Sequence, residues 1–236
     1  MFSAIGAFFS KWFTRLRVFA TLAGSWGVLF SVITLIGFKV GFEYDDGLVF
    51  STPAFKSAQN YKAAPPVISP SPRTFGAGKR ADTDDILTGG YSEEFKKRDL
   101  PAEDVFAGAD YWNTVNRAYK YEHIKPIPWL TAWLFKALGF KVEIFCGRTR
   151  QGSDSLENSW KTLADYFHFT TDENQKYELL ERSRFVFYFT PSDEGVIQAI
   201  KAEVTPVRIR KNKKSSNSCL YNPGKFKEYI LPLSEF

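Results

Sequence analysis

Near the start of the chain, 21 consecutive residues from Val18 to Phe38 carry no charged side chain. At about 1.5 Å of rise per residue, a helix of this length crosses a hydrocarbon layer of about 30 Å. The run therefore predicts one transmembrane helix over residues 18–38. A cleaved secretory signal is the alternative. The run is longer than the roughly 7–15 residues of a signal's apolar region, and no small-x-small pair ends it, which favours a retained anchor.

The residues before this run repeat apolar side chains at three- and four-residue spacing. Three cations lie among them, Lys11, Arg15 and Arg17, and residues 1–38 contain no acid. The pattern predicts an amphipathic helix over residues 1–17, which either lies in the membrane interface or binds a partner in a membrane complex. Because cations favour the cytoplasmic side, we expect a cytoplasmic N-terminus and a globular part on the opposite side.

From residue 39 onward, predicted strands and helices alternate. Strands are predicted from Lys39 and over residues 141–145, 185–189 and 204–209, and helices over residues 127–138, 156–167, 174–183 and 194–202. This alternation favours an α/β fold with a parallel sheet covered on both faces. We expect three tryptophans in the core rather than in a ligand cage: Trp129, Trp133 and Trp160.

Residues 57–110 interrupt this pattern. Proline and glycine are concentrated there among scattered charges, a composition typical of turns and extended segments. The segment predicts a loop-rich insertion with at most one short helix. A long irregular loop in a compact domain is either functional or disordered. We therefore expect this one to cover the site or to project as a docking element.

The composition limits the function classes. A chain of 236 residues with 44% apolar residues can bury one sizeable core, so residues 39–236 are expected to form one domain. The net charge is +5, and residues 1–38 supply three of these charges, which leaves +2 for the remainder. That surplus is too small for a nucleic-acid partner. A basic run, Arg208, Arg210, Lys211, Lys213 and Lys214, is interpreted as a solvated loop or, alternatively, as a contact with anionic lipid.

An acidic cluster follows the first predicted strand, in Phe42-Glu43-Tyr44-Asp45-Asp46-Gly47. Ligands of open α/β sheets bind at this carboxyl edge. The stretch through Pro53 resembles the first motif of haloacid dehalogenase-type phosphatases, in particular the bacterial class B acid phosphatases. The resemblance implies that Glu43 occupies the position of the nucleophilic aspartate and Asp45 that of the general acid. Glu43 is one methylene longer than the residue it replaces.

Other segments extend the resemblance to about residues 39–56 and 111–236. Residues 142–148 are similar to the second motif, with Cys146 in place of a phosphate-binding threonine and Arg148 after it. Residues 161–168 resemble a family helix, Lys176 falls at the position of the phosphate-neutralising lysine, and residues 233–236 resemble the family's ending. The resemblance implies a three-layer, Rossmann-like haloacid dehalogenase fold behind the N-terminal helix.

The fourth motif differs most from the family's pattern. The register without gaps places Pro191 at the expected metal-ligand position and leaves Asp193 as the acid that could join Glu43 and Asp45. A slipped register that brings in Asp193 or Glu194 is the alternative. Mg²⁺ requires near-octahedral oxygen ligation, so the resemblance implies a weak or absent metal site and no cofactor, or Mg²⁺ if the protein is active.

The cysteines and histidines give no further catalytic or metal-binding motif. Cys146 is expected as a small buried side chain rather than as half of a disulfide with Cys219. His123 and His168 fit no metal-ligand or nucleophile–base spacing.

Together, the sequence predicts a single-pass protein of the bacterial inner membrane with a periplasmic, acid phosphatase-like domain. We expect its catalysis to be impaired and the domain to act as a binding or structural subunit of a membrane assembly. Cys146, Arg148 and Lys176 are the candidate ligands for phosphate or a phosphomonoester. An active metal-dependent phosphomonoesterase is the alternative, and a lipid-surface binding module is a third possibility.

Overall fold

The structure is a computed structural model of the chain, and it describes residues 2–59 and 105–236. The helices are α1 (Phe2–Ile36), α2 (Thr52–Gln59), α3 (Val105–Arg117), a 3₁₀ turn (Ala118–Tyr121), α4 (Pro126–Ala137), α5 (Asp154–Trp160), α6 (Glu173–Arg182) and α7 (Asp193–Lys201). The strands are β1 (Lys39–Glu43), β2 (Val49–Phe50), β3 (His123–Ile124), β4 (Lys141–Cys146), β5 (Tyr166–Phe169), β6 (Phe185–Thr190), β7 (Thr205–Ile209) and β8 (Tyr229–Leu231).

Six strands form one parallel sheet in the order β5-β4-β1-β6-β7-β8. Helices lie in the connections between most of these strands and cover the sheet, as is usual for parallel strands. The connection from β7 to β8, residues 210–228, consists of turns and coil instead. Strands β2 and β3 form a separate antiparallel pair beside it. The prediction of an α/β fold with a mainly parallel sheet is therefore confirmed.

Side chains alternate between the two faces of the sheet and produce two cores. Val40 and Phe42 of β1 point into the larger one, where the Phe42 ring stacks on Phe189 with 4.3 Å between centroids. On the other face, Gly41 lies against Tyr188, and a Cβ at this glycine would come within 2.7 Å of the tyrosine ring. Only glycine therefore fits at the centre of β1, where the rings of the second core approach the backbone.

Helix α1 is continuous from Phe2 to Ile36. Its part from Arg17 to Ile36 is long and apolar enough to cross a membrane, and only 6% of its most apolar window is buried against the rest of the protein. The helix ends at the domain, where Ile33 is buried and the Arg184 side chain donates a 2.6 Å hydrogen bond to the Ile36 carbonyl.

Three parts of the prediction are corrected by the structure. The helix predicted over residues 156–167 ends at Trp160. The family helix expected at 161–168 does not form, because residues 161–165 adopt turns and irregular backbone and Tyr166–Phe169 form strand β5. Aromatic residues favour strands, and β5 pairs with β4. Residues 60–104 of the predicted insertion lie outside the described residues. Its two ends are helical, in α2 and α3, because these helices pack on each other.

The third correction concerns the basic run. Arg208 is not solvated but lies in β7 with no exposed surface. Its guanidinium donates to Asp193 and Glu228, each at 2.9 Å, and to the carbonyl of Pro191 at 3.0 Å. Two carboxylates satisfy this buried cation, which is why a strand can contain it.

Candidate functional site

Three neighbouring strands end at the candidate site. Glu43 closes β1, Cys146 closes β4 and Thr190 closes β6, and β4 and β6 flank β1 in the sheet. Their side chains meet at the carboxyl edge, where α/β folds bind ligands. The structure thus brings together the predicted residues of the first two motifs, and α6 adds Lys176.

Both carboxylate oxygens of Glu43 are engaged inside the protein. Oε1 accepts hydrogen bonds from the Lys176 ammonium at 2.8 Å and from the Tyr188 hydroxyl at 3.1 Å. Oε2 accepts a bond from the Thr190 hydroxyl at 2.7 Å. The side chains of Glu43 and Lys176 are only 12% and 8% exposed. Glu43 therefore joins β1, α6 and β6, and its oxygens are not directed at solvent.

Asp45 is bound in a second buried ion pair. The Arg148 Nη2 and Nε atoms lie 2.5 and 3.1 Å from Asp45 Oδ1, and Nη2 also lies 2.5 Å from Glu122 Oε1. The second Glu122 oxygen accepts a bond from the Tyr44 hydroxyl. Arg148 has no exposed surface, and its guanidinium lies 5.1 Å from the centroids of the Tyr44 and Phe55 rings. The predicted phosphate-binding arginine is thus held by carboxylates and aromatic rings.

Burial sets the protonation chemistry of this cluster. It raises the pKa of Glu122 from 4.5 to about 7, with Asp45 adding to the effect and Arg148 opposing it. Burial also raises the pKa of the Cys146 thiol well above its ordinary value, and the charge of Asp45 raises it further. A thiol in this state is not activated as a nucleophile, since activation requires a lowered pKa. Cys146 and Cys219 form no disulfide, as expected.

Asp193 belongs to a different hydrogen-bond network. It is the first residue of α7, and its carboxylate accepts bonds from Arg208, the Asn222 backbone N–H and the Asn222 amide at 2.9, 2.9 and 2.7 Å. Burial opposes its ionisation, but these hydrogen bonds and the charge of Arg208 lower its pKa. The structure therefore places Asp193 in a network with the C-terminal segment instead of joining it to Glu43 and Asp45.

The residues present do not fit a Mg²⁺ site. Magnesium requires several oxygen donors at about 2.1 Å in octahedral geometry. Over residues 2–59 and 105–236, no three His, Cys, Asp or Glu side chains converge on one position. The carboxylates of Glu43, Asp45 and Asp193 are each bonded to a cation of the protein.

Sequence reasoning missed several members of the site. Glu122 and Lys125 follow the predicted insertion and match no motif, yet Glu122 binds Arg148 and the Lys125 ammonium bonds the carbonyls of Asp46 and Arg210 at 2.9 and 2.7 Å. For Tyr188, the sequence indicates only a position in a core strand. These contacts join residues far apart in the chain, so no local spacing reveals them.

The three tryptophans contact the core but also line a cleft of about 400 Å³. Trp129 and Trp133 approach it from α4, and Trp160 from the end of α5. Tyr44 and Glu122 form part of its wall and separate it from Arg148. The cleft is therefore adjacent to the candidate site, although the expectation of tryptophans in the core is also met in part.

No family model matches the chain, and no curated protein matches it. Solved structures do align with it. A predicted phosphoglycolate phosphatase from Haemophilus somnus aligns over 81% of this chain and 92% of its own, with 14% identity and a TM-score of 0.46. A haloacid dehalogenase-like family hydrolase from Streptococcus pneumoniae aligns over 81% and 92%, with 12% identity and a TM-score of 0.43. A dehalogenase aligns over 84% and 94%, with 14% identity and a TM-score of 0.46. Alignments at these scores do not assign the chain to a family.

Proposed function

We propose that the chain is a membrane-anchored, acid phosphatase-like protein whose phosphohydrolase site no longer turns over, and that its domain acts as a binding or structural subunit of a membrane assembly. The site lies where haloacid dehalogenase-type chemistry is expected from the motifs. The charged side chains of this site, however, form ion pairs with one another.

The observation that supports this most strongly is the hydrogen bonding of Glu43. A nucleophile needs an oxygen directed at the substrate within a tolerance of about 0.5 Å. Both oxygens of Glu43 are instead bonded to Lys176, Tyr188 and Thr190, with three contacts between 2.7 and 3.1 Å. Attack would require these bonds to break in a buried place, where an uncompensated carboxylate is costly.

The charges around the site give a second argument. Asp45 and Glu122 offset the single positive charge of Arg148, and Glu43 offsets that of Lys176. Phosphoryl transfer depends on positive charge that neutralises the transferred group. A phosphate here would have to compete with carboxylates for both cations, although the buried Nη1 of Arg148 has no hydrogen-bond partner. The proposal therefore assigns Arg148 and Lys176 to internal ion pairs, and phosphate or a phosphomonoester remains a ligand only if those pairs open.

The membrane part of the proposal rests on α1. Its segment Arg17–Ile36 has the length and composition of a span, and its apolar side chains are mostly exposed. Lys11 and Arg15 precede this segment and Arg17 begins it, which favours a cytoplasmic N-terminus and a domain on the periplasmic face of the inner membrane. Soluble proteins rarely expose so large a continuous apolar surface.

The test is an assay of the purified full chain in mild detergent with p-nitrophenyl phosphate, with and without Mg²⁺. We expect no Mg²⁺-dependent phosphate release above that of an Asp45→Asn variant. We also expect no rise in melting temperature with Mg²⁺, since a ligand that binds the folded state stabilises it. Magnesium-dependent turnover that the Asp45→Asn variant lacks would instead establish the active phosphomonoesterase.

The assembly role is tested separately. The chain is extracted from native membranes in mild detergent and examined by size-exclusion chromatography with mass measurement. We expect a stoichiometric complex larger than the protein–detergent particle. A chain that elutes alone at every detergent concentration contradicts the subunit role but leaves the loss of catalysis untouched.

A further inference from the structure

We infer that one face of the domain rests on the lipid bilayer. This face consists of an apolar stripe on α4, defined as Leu130, Leu134 and Ala137, together with the cations Lys141 and Arg184. The inference rests on the proposed membrane anchoring and goes further, because it names the surface that meets lipid and so fixes the orientation of the candidate site.

The turn between α4 and β4 lies beside the last two turns of α1 rather than beyond the helix end. At Gly139, an added Cβ would lie 2.6 Å from the Thr34 hydroxyl oxygen and 2.8 Å from the Phe30 carbonyl oxygen. The Thr34 hydroxyl also donates to the Gly139 carbonyl at 3.4 Å. Residues 30–36 of α1 therefore run alongside the domain.

The part of α1 that extends beyond the domain is short for a membrane span. If residues 30–36 lie beside the domain, only residues 18–29 of the uncharged run extend beyond it. Twelve residues cover about 18 Å, whereas the hydrocarbon layer is about 30 Å thick. If the domain stood away from the bilayer, a span formed by α1 alone would draw Arg15 and Arg17 into lipid, which costs several kcal/mol per charge. If the domain surface around Gly139 lies at the lipid interface, residues of α1 beside that surface also count toward the span, and most of the missing length is recovered.

Helix α4, which leads to the turn at Gly139, has an exposed apolar side. Leu130 and Leu134 are 54% and 59% exposed, and Ala137 is exposed as well. Their spacing of four and three residues puts them on one side of α4. The opposite side packs on the sheet through Pro128 and Ala132. The stripe runs along α4 toward the turn that contacts α1 and ends two residues before Gly139.

Two exposed cations lie near the C-terminal end of α1. Lys141 begins β4, and Arg184 immediately precedes β6, so both flank the start of β1 and both are exposed. Basic side chains at such a position bind the phosphates of lipid head groups. Lys39 at the start of β1 contributes little net charge, because it pairs with Glu143 at 2.9 Å.

Two exposed acids, Asp165 and Glu203, lie at the same edge, just before β5 and β7, and Asp165 lies 3.8 Å from the Lys136 ammonium of α4. The net charge of the edge is therefore small. The apolar stripe, and not charge alone, carries the contact with lipid.

The test uses the full chain in phospholipid nanodiscs with nitroxide labels, in a Cys146→Ala, Cys219→Ser background whose melting temperature is measured first. Labels are placed by Leu134→Cys and Leu130→Cys. The matched control is Leu220→Cys, a leucine with 63% exposure whose carbonyl bonds Asp193 at the opposite edge of the sheet. Relaxation by oxygen reports lipid, and relaxation by a water-soluble nickel complex reports water.

We expect the ratio of oxygen to nickel accessibility to fall in the order position 134, position 130, position 220, with at least a threefold difference between the first and the last. A value at position 134 equal to that at position 220 overturns the inference. Low accessibility to both reagents would also overturn it, because it indicates that protein, such as a second copy or a partner, covers the stripe.

A fourth label, Leu29→Cys on α1, separates this inference from the proposal on which it depends. If position 29 is in lipid and position 134 is in water, the chain is anchored but its domain stands clear of the bilayer. If position 29 is also in water, the anchoring itself fails and the inference fails with it.

Discussion

Shortening Glu43 to aspartate is the sharpest test of whether this residue is a structural anchor or a displaced nucleophile. The change withdraws the carboxylate by about one bond length, roughly 1.5 Å. The bonds to Lys176 at 2.8 Å and to Thr190 at 2.7 Å would then exceed the limit of about 3.5 Å for a hydrogen bond. The variant restores the residue type that the resemblance implies for a nucleophile.

The expected effect is a loss of stability without a gain of activity. Removing one partner of a buried ion pair costs about 3–5 kcal/mol. Because aspartate keeps the charge and part of the attraction, we expect about 2–3 kcal/mol. In a protein of this size each kcal/mol lowers the melting temperature by roughly 2–4 °C, which gives a decrease of about 5–10 °C. Hydrolysis stays absent because Asp193 remains bonded to Arg208.

The assay combines thermal unfolding in detergent with release of p-nitrophenol in the presence of Mg²⁺. The matched control is Glu178→Asp, the same exchange on the exposed side of α6, where the side chain is 53% exposed. We expect less than about 0.5 kcal/mol there. If the Glu43→Asp protein melts like the control, Glu43 is not an anchor. If it hydrolyses substrate with Mg²⁺, the proposed loss of the metal site is wrong.

Three further outcomes are expected. Since burial raises the pKa of Glu122 from 4.5 to about 7, the folded state holds this proton more tightly, so the stability present below about pH 4.5 is lost as the pH rises to about 7. The free energy of unfolding should therefore change with pH by up to about 3 kcal/mol less in Glu122→Gln than in the unchanged protein. Urea unfolding at several pH values measures this, and the same pH dependence in both proteins would show that the reasoning is incorrect. Gly41→Ala should cost about 1–3 kcal/mol, because its Cβ meets the Tyr188 ring at 2.7 Å, while Gly147→Ala, with nothing within 4 Å, serves as its control; equal melting temperatures would contradict the close fit. Arg208→Met should cost at least about 3 kcal/mol because it leaves two buried carboxylates without their cation, and a melting curve like that of the unchanged protein would refute this.

Much of the fold could be predicted from the sequence because period and residue type agree along most elements. The helix predicted at 127–138 lies at Pro126–Ala137, and the strand predicted at 185–189 lies at Phe185–Thr190. One exception is Tyr166–Phe169, where the sequence predicts the end of a helix and the structure has strand β5. Its conformation is decided by pairing with β4, a tertiary contact that propensity does not encode.

The sequence predicts which residues meet at the site but not which partners they bind there. The spacing of Glu43 and Asp45 after a strand, and of Arg148 after the next, indicated which residues meet at the carboxyl edge. What they do there depends on their partners. Glu122 reaches Arg148 from 26 residues away, and Tyr188 reaches Glu43 from 145 residues away. Such pairs leave no local pattern, so the sequence could not distinguish a binding arginine from one that is already bound.

Helix α4 behaves as a stiff rod about 18 Å long with a fixed point at each end. At one end it is followed at once by Gly139, which touches α1. At the other end the Lys125 ammonium holds the carbonyls of Asp46 and Arg210, and its backbone N–H holds the carbonyl of Leu48. If α1 spans a bilayer, as proposed, a tilt of α4 relative to α1 would move the acidic turn after β1 with it. The position of this turn would then depend on how α1 sits in lipid.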